Sequence, residues 1–150
     1  PGIETQIEKV KTDEMLNLFN THCLGVIRTV KATLNFLEKS KNPRIINISS
    51  RLGSLTKMAS GEFNNMNFSY SYRIAKAAQN MLTIVLADEL KDKNISVTAI
   101  HPGRLKTSTA SIDADMEPST AASNVLEWVK GANISTTGLY LEPMVSTLPW

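Results

Sequence analysis

Hydrophobic positions along this chain alternate between two periods. From Leu16 through Phe19, Cys23, Val26 (or Ile27), Val30, Leu34 and Leu37, apolar residues recur every third or fourth position, which predicts a helix ending near Ser40. Thr12 and Asp13 are its candidate N-caps. Lys39 and Lys41 place positive charge where the helix dipole favours it, and Pro43 stops the helix. The 44–49 stretch carries Ile45, Ile46 and Ile48 in a nearly continuous apolar run, the pattern of a short strand covered on both faces. Residues 50–69 show no strong period and are rich in Gly, Ser and Asn; a loop of that length in a compact domain is usually functional or mobile.

A second helix is predicted over 70–91, with Ile74, Ala78, Met81 (or Leu82), Val85 and Leu86 as its apolar stripe. A polar turn at 92–94 leads into an alternating, β-branched strand at 95–100, ended by Pro102-Gly103. A polar loop covers 107–119. A third helix opens at Pro118 or Ser119, carries Val125, Leu126, Trp128 and Val129, and is ended by Gly131. A short last strand at 138–141 precedes a tail, 143–150. Helix and strand alternate three times, which predicts an α/β fold: a doubly wound parallel sheet with right-handed helical crossovers. No internal repeat and no boundary between two domains is evident.

Composition narrows the function classes. With 150 residues the chain is one domain or part of one. Hydrophobic content of 42%, charge of 20% and a net charge of +2 describe an ordinary globular chain without the basic stripe of a nucleic-acid binder. No apolar run approaches the roughly 18–20 residues of a membrane span, and no secretory leader is read at Pro1, so a cytoplasmic location is expected. Cys23 is the single cysteine, which excludes an internal disulfide and a cysteine zinc site; it reads as a small core hydrophobe.

Three short pieces carry candidate chemistry. Tyr72 and Lys76, four apart on one helix face, form a possible proton-transfer pair, because a neighbouring ammonium draws a phenol toward the working pH range. The bland alternative is an amphipathic surface pair. Ser50 ends the first strand, where open α/β sheets place ligands, and its hydroxyl can donate to an oxygen that gains charge. Ser49 competes with it, but Ser50, directly before Arg51-Leu52-Gly53, is better placed; the alternative is a turn serine. Pro102-Gly103 ends the second strand, where glycine permits close backbone approach to a ligand, and Thr107 can reach a phosphate or carboxamide; the alternative is an ordinary turn. His101 reads as structural.

Taken together, Asn47-Ile-Ser-Ser-Arg-Leu-Gly53, Tyr72-x-x-x-Lys76 and His101-Pro-Gly-Arg-Leu-Lys-Thr107 resemble the C-terminal two thirds of a short-chain dehydrogenase/reductase, over essentially the whole chain. The Tyr-Ser-Tyr-Arg wording, the glycine-bearing loop before it and the Leu-Pro-Trp ending resemble the C-factor and sniffer-like carbonyl-reductase branch. The resemblance implies that residues 1–150 are the C-terminal part of a single such domain, a Rossmann-type sheet here without its first strands and Gly-rich loop. It implies an enzyme that moves hydride between NADP or NAD, with NADP favoured, and a small carbonyl or alcohol substrate. Tyr72 is then the general acid or base. Lys76 lowers its pKa and holds the nicotinamide ribose, and Ser50 orients the carbonyl. Tyr72, Lys76, Pro102, Gly103, Leu105 and Thr107 contact the cofactor. A homodimer or homotetramer is implied, with no metal.

Two departures stand out. Where the family carries an Asn three residues before a Gly, this chain has His22; Asn20 lies on another face. His22 either holds the same relay water, slows turnover, or is a plain helix-face histidine. No Gly cluster able to cradle a pyrophosphate is present, since Gly2 and Gly25 cannot form one. The competing functional expectation is therefore a truncated or degenerate relative that acts by binding, signalling or oligomerisation.

Overall fold

The computed structural model describes residues 4–108, 110 and 113–150; Pro1, Gly2 and part of the expected 107–119 loop lie outside them. The elements follow the expected alternation. They are α1 (Thr12–Phe19), a π turn (Asn20–Leu24), α2 (Gly25–Leu37), β1 (Arg44–Ile48), α3 (Leu55–Ala59), α4 (Tyr70–Leu90), β2 (Ser96–Ile100), α5 (Pro118–Gly131), β3 (Tyr140–Glu142) and β4 (Ser146–Thr147). Strand order is β1-β2-β3-β4. The first three strands are parallel, with Arg44 opposite Ser96 and Ala99 opposite Tyr140, while β4 returns antiparallel to β3. The expected α/β sheet is present, β1 forms one edge of it, and the tail expected at 143–150 instead supplies the last strand.

The long first helix is not continuous. The Gly25 N–H reaches back five residues to the Asn20 carbonyl, so one extra residue is inserted and the two halves are rotated relative to each other. Cys23 and Val30 are buried, and Val26, Leu34 and Leu37 pack against the core, but Leu16 and Phe19 at the helix start are exposed. Neither Thr12 nor Asp13 caps it: the N-cap is Lys11, whose side chain makes no capping bond. The 50–69 stretch is also more ordered than expected. Ser50 caps a short 3-10 turn, Arg51–Gly53, and Ser54 caps α3 by accepting the Lys57 N–H.

The larger correction concerns α4. Its expected apolar stripe points outward, with Ile74, Met81 and Val85 each about half exposed, whereas Leu82 and Leu86 face the core. The inward face carries Ser71, Lys76, Gln79, Asn80 and Thr83 between the apolar Ala75, Leu86, Ala87 and Leu90. These polar groups meet polar groups on β1 and the turn after it: Asn47 Nδ2 donates to Thr83 Oγ1 at 2.9 Å, and Ser49 Oγ donates to Asn80 Oδ1. Farther along, Leu86, Ala87 and Leu90 close an apolar core with Val30, Ile95 and Val97. The sheet end nearest the predicted chemistry is therefore joined to α4 by hydrogen bonds, and the opposite end by hydrophobic packing.

Gly53 fixes how closely the turn after β1 approaches α4. A Cβ there would lie 2.8 Å from the Lys76 carbonyl carbon and 2.9 Å from its oxygen. Both are helix backbone and cannot swing away. Gly53→Ala is expected to lower stability by about 1–3 kcal/mol, read as a lower urea midpoint at unchanged m-value; an unaltered midpoint contradicts this packing.

Candidate functional site

Parallel strands deliver their carboxyl ends to one side of the sheet, the position where such folds bind ligands. Here that side holds Ser49-Ser50 after β1, His101-Pro102-Gly103 after β2 and Glu142 at the end of β3. The ladder continues past the strands, with the Ser49 N–H donating to Ile100 O (2.7 Å) and the His101 N–H to Leu141 O (2.8 Å). The first turn of α4 faces this end. It is held by Glu4, whose carbonyl accepts the Tyr70 N–H and whose carboxylate accepts the Ser71 hydroxyl.

The structure brings Ser50, Tyr72 and Lys76 together. Lys76 is 4% exposed, and its ammonium donates to the Ile48 carbonyl (2.8 Å) and to Gln79 Oε1 (2.9 Å). It sits 5.7 Å from the centroid of the Tyr72 ring. Burial pushes the Lys76 amine down to about 8, with the nearby Cys23 acting weakly the other way. Burial also pushes the Tyr72 phenol up, and the neighbouring Ser50 side chain works weakly against this. In this state the phenol is a proton donor rather than a phenolate. Ser50 Oγ accepts the Leu52 N–H at 3.3 Å, which leaves its own O–H free to donate.

The π turn swings His22 into the same cluster. Its ring meets that of Tyr72 edge-on, with centroids 5.8 Å apart and planes at 86°. Burial lowers the imidazole pKa and the charge on Lys76 lowers it further, so near neutrality His22 is uncharged and can both donate and accept a proton. Next to it Cys23 packs against α4, its Sγ 3.7 Å from the Ala75 carbonyl, and burial raises the thiol pKa; the residue behaves as the expected core hydrophobe.

The residues expected at the nicotinamide end lie on the segment leaving β2. Gly103 has φ +107°, a conformation that favours glycine, and a Cβ there would fall 2.8 Å from Met116 Sδ. Leu105 pairs with Met116 in an isolated bridge. Thr107 is exposed, and its carbonyl accepts the Ala110 N–H. Arg51 and Arg104 both form ion pairs with Asp113, and Arg104 pairs with Asp115 as well, so charge fastens this segment to the turn after Ser50. His101 is buried with neither ring nitrogen hydrogen-bonded, and burial first, then the charges of Arg51 and Arg104, holds it near 4, uncharged.

A nicotinamide fits the groups present: an amine at the floor, a phenol beside it and a side-chain-free backbone at Gly103. The pyrophosphate cradle that such a cofactor requires has no counterpart among the described residues. Sequence reasoning missed Gln79, which shares the Lys76 ammonium, and Tyr140, whose hydroxyl donates to the Ser50 carbonyl at 2.6 Å. Nothing in the spacing of either residue marks it. The described residues contain no group of His, Cys, Asp and Glu able to hold a metal and no helix long and apolar enough to cross a membrane.

The family model for short chain dehydrogenase matches residues 2–118. The C-signal protein of Myxococcus xanthus is 26% identical over 149 residues, covering 99% of this chain and 86% of that protein. A 1-hydroxy-2-glutathionyl-2-methyl-3-butene dehydrogenase from Rhodococcus sp. (strain AD45) is 30% identical over 131 residues, 85% of this chain and 54% of that one. Among solved structures, the carbonyl reductase Sniffer of D. melanogaster superposes with a TM-score of 0.84 at 26% identity, over 100% of this chain and 64% of that one. An NADPH-bound carbonyl reductase from chicken fatty liver gives 0.83 at 24% identity and agrees in fold, again with 63% of its own length covered. The chain thus spans just under two thirds of these solved structures, and the branch expected from the sequence is the one it resembles.

The buried amine makes stability depend on pH in a specific window. An unfolded lysine titrates near 10.5 and Lys76 near 8. Between those values the unfolded chain holds the extra proton, so stability rises with pH from about 8 to 10.5 and is flat below it, by roughly 3 kcal/mol at most. Urea unfolding across this range is expected to show the rise in the native chain and to lose that part of it in Lys76→Met; parallel profiles contradict the burial of the amine.

Proposed function

The chain belongs to the short-chain dehydrogenase family, and from that premise we propose that it is the chemistry-bearing, C-terminal part of one dehydrogenase domain. It acts as an NAD(P)-dependent oxidoreductase on a small carbonyl or alcohol substrate. The observation that carries the proposal is the meeting of Ser50, on the turn after β1, with Tyr72 and Lys76, on α4, at the carboxyl end of β1. The cofactor, NADP by the branch or NAD, supplies hydride to the carbonyl carbon when bound. Pro102, Gly103, Leu105 and Thr107, with Tyr72 and Lys76, would hold its nicotinamide end.

The protein's own part is to bind the carbonyl, polarise it and deliver a proton. The Ser50 hydroxyl donates to the carbonyl oxygen, and the Tyr72 phenol, neighbouring Ser50, passes its proton to that oxygen as charge develops there. The Lys76 ammonium, held by Ile48 and Gln79, stabilises the phenolate left behind. His22, edge-on to Tyr72, stands where a relay group returns the proton.

In the full-length chain, assayed with NADPH or NADH against small aldehydes and ketones, Tyr72→Phe is expected to cost about 10²–10⁴ in kcat, while titration of either dinucleotide gives the native affinity. Unchanged turnover sinks the assignment. His22 is tested separately. His22→Asn, which keeps a donor and an acceptor, is expected to hold kcat within about threefold, and His22→Phe to lower it by about a hundredfold. Equal rates in the two variants remove His22 from the proton path.

A further inference from the structure

Beyond the groups that would touch substrate, the turn bearing Ser50 is held from one side by an aromatic pair near the end of the chain. Tyr140 is 1% exposed and lies on β3, yet its hydroxyl crosses to the Ser50 carbonyl at 2.6 Å. The same carbonyl accepts the Gly53 N–H at 2.8 Å, so both of its lone pairs are used and the Ser50 peptide plane is fixed from two directions. Trp150 stacks on the Tyr140 ring, with centroids 5.1 Å apart and planes at 25°.

The segment carrying Trp150 is itself fastened to that turn. The Trp150 carbonyl accepts the Thr56 N–H at 2.9 Å, one of the first-turn donors of α3 that has no partner inside the helix. The Pro149 carbonyl accepts the hydroxyl of Ser54, a residue with no exposed surface, at 2.7 Å, and the Leu148 N–H donates to the Tyr140 carbonyl at 2.7 Å. Burial pushes the Tyr140 phenol up, which keeps it a hydrogen-bond donor throughout the working pH range.

We propose that Tyr140 and Trp150 are positioning residues for Ser50: the indole fixes the phenol ring, the phenol fixes the Ser50 peptide, and the hydroxyl that meets the substrate carbonyl is thereby aimed at the Tyr72 oxygen. This rests on the catalytic reading of Ser50. Tyr140 touches neither substrate nor cofactor in this scheme; it acts through one backbone carbonyl. Loss of that bond frees the turn while leaving Tyr72, Lys76 and the cofactor's surroundings in place.

The test uses Tyr140→Phe, which removes the hydroxyl and keeps the stack, with Trp150→Ala and Trp150→Phe, in the full-length chain. Amide hydrogen exchange at Leu52, Gly53 and Ser54 is expected to quicken by about tenfold or more in Tyr140→Phe and Trp150→Ala. In the same two variants kcat for carbonyl reduction is expected to fall by about tenfold or more at unchanged NADPH affinity, with Trp150→Phe restoring most of it. Native exchange in both variants overturns the proposal. So does quickened exchange with native kcat, provided that Ser50→Ala lowers kcat. Native kcat in Ser50→Ala itself overturns the catalytic role of Ser50, and the positioning role with it, whatever the exchange shows.

Discussion

An ammonium group held inside the protein by two neutral acceptors is the constraint around which this end of the molecule is arranged. Burying a charge without compensation is costly, and among the described residues Lys76 is held by neutral acceptors rather than by a carboxylate. The Ile48 carbonyl and the Gln79 amide oxygen take two of its three protons, which is enough to keep the group inside and too little to keep its pKa at the ordinary lysine value. A carboxylate partner would have paired the charge and left Tyr72 facing a neutralised site. With neutral acceptors the ammonium stays charged 5.7 Å from the phenol ring, yet burial outweighs it and the Tyr72 pKa lies above its ordinary value, not below it as expected. Burial first, and then the nearby Lys76 charge, keeps His22 uncharged.

The interior of α4 follows from that constraint. A helix that must deliver an amine to the end of a strand has to pack against it with polar groups, because every donor and acceptor displaced from water there requires a partner. Asn47 meets Thr83, Ser49 meets Asn80, and the Ile48 carbonyl meets Lys76. Each such bond contributes only about 0.5–1.5 kcal/mol net, but a slip of one residue would leave several of them unmade. Hydrogen bonding thus fixes the register between helix and strand, and the apolar contacts of Leu86, Ala87 and Leu90 farther along supply most of the adhesion.

This division explains what could be read from the sequence. β1 and β2 were legible as β-branched runs, but only β2 is covered on both faces; β1, expected to be covered as well, lies at the sheet edge and keeps Ile45 and Ile46 half-buried and Ile48 exposed. The candidate site residues at the strand ends were read from that context. The face of α4 was not. Periodicity assigns apolar residues to the core, whereas Ile74, Met81 and Val85 lie on the outer surface while Gln79, Asn80 and Thr83 are inside. The spacing of Tyr72 and Lys76 was informative for the same reason the stripe misled: polar pairing with β1 and the turn after it, rather than the apolar stripe, occupies the inward side of this part of the helix. The π turn left no pattern of its own, since one inserted residue shifts a helical period by less than the freedom of choosing between Val26 and Ile27. The contact of Tyr140 with Ser50 joins residues 90 apart and follows from the path of the last strands, which no local pattern records.

The edge of the sheet and the amine are also joined. Along β1 and α2 runs a groove of about 560 Å³, lined by Val26, Val30 and Leu37 on the helix, by the strand, and at one end by Ile48 and Gln79. Those last two residues are the ones that hold the Lys76 ammonium. An edge strand with exposed β-branched side chains, such as Ile48 at 46%, is a surface that proteins ordinarily cover. With Lys76 already 4% exposed, covering the edge acts on it only by deepening the burial of the Ile48 end, which lowers its affinity for a proton unless the cover brings an acceptor or a negative charge. Sheet pairing at β1 and the protonation of Lys76 are therefore linked, and linkage is reciprocal. The strand whose carbonyl holds the Lys76 ammonium is thus also the exposed edge of the sheet.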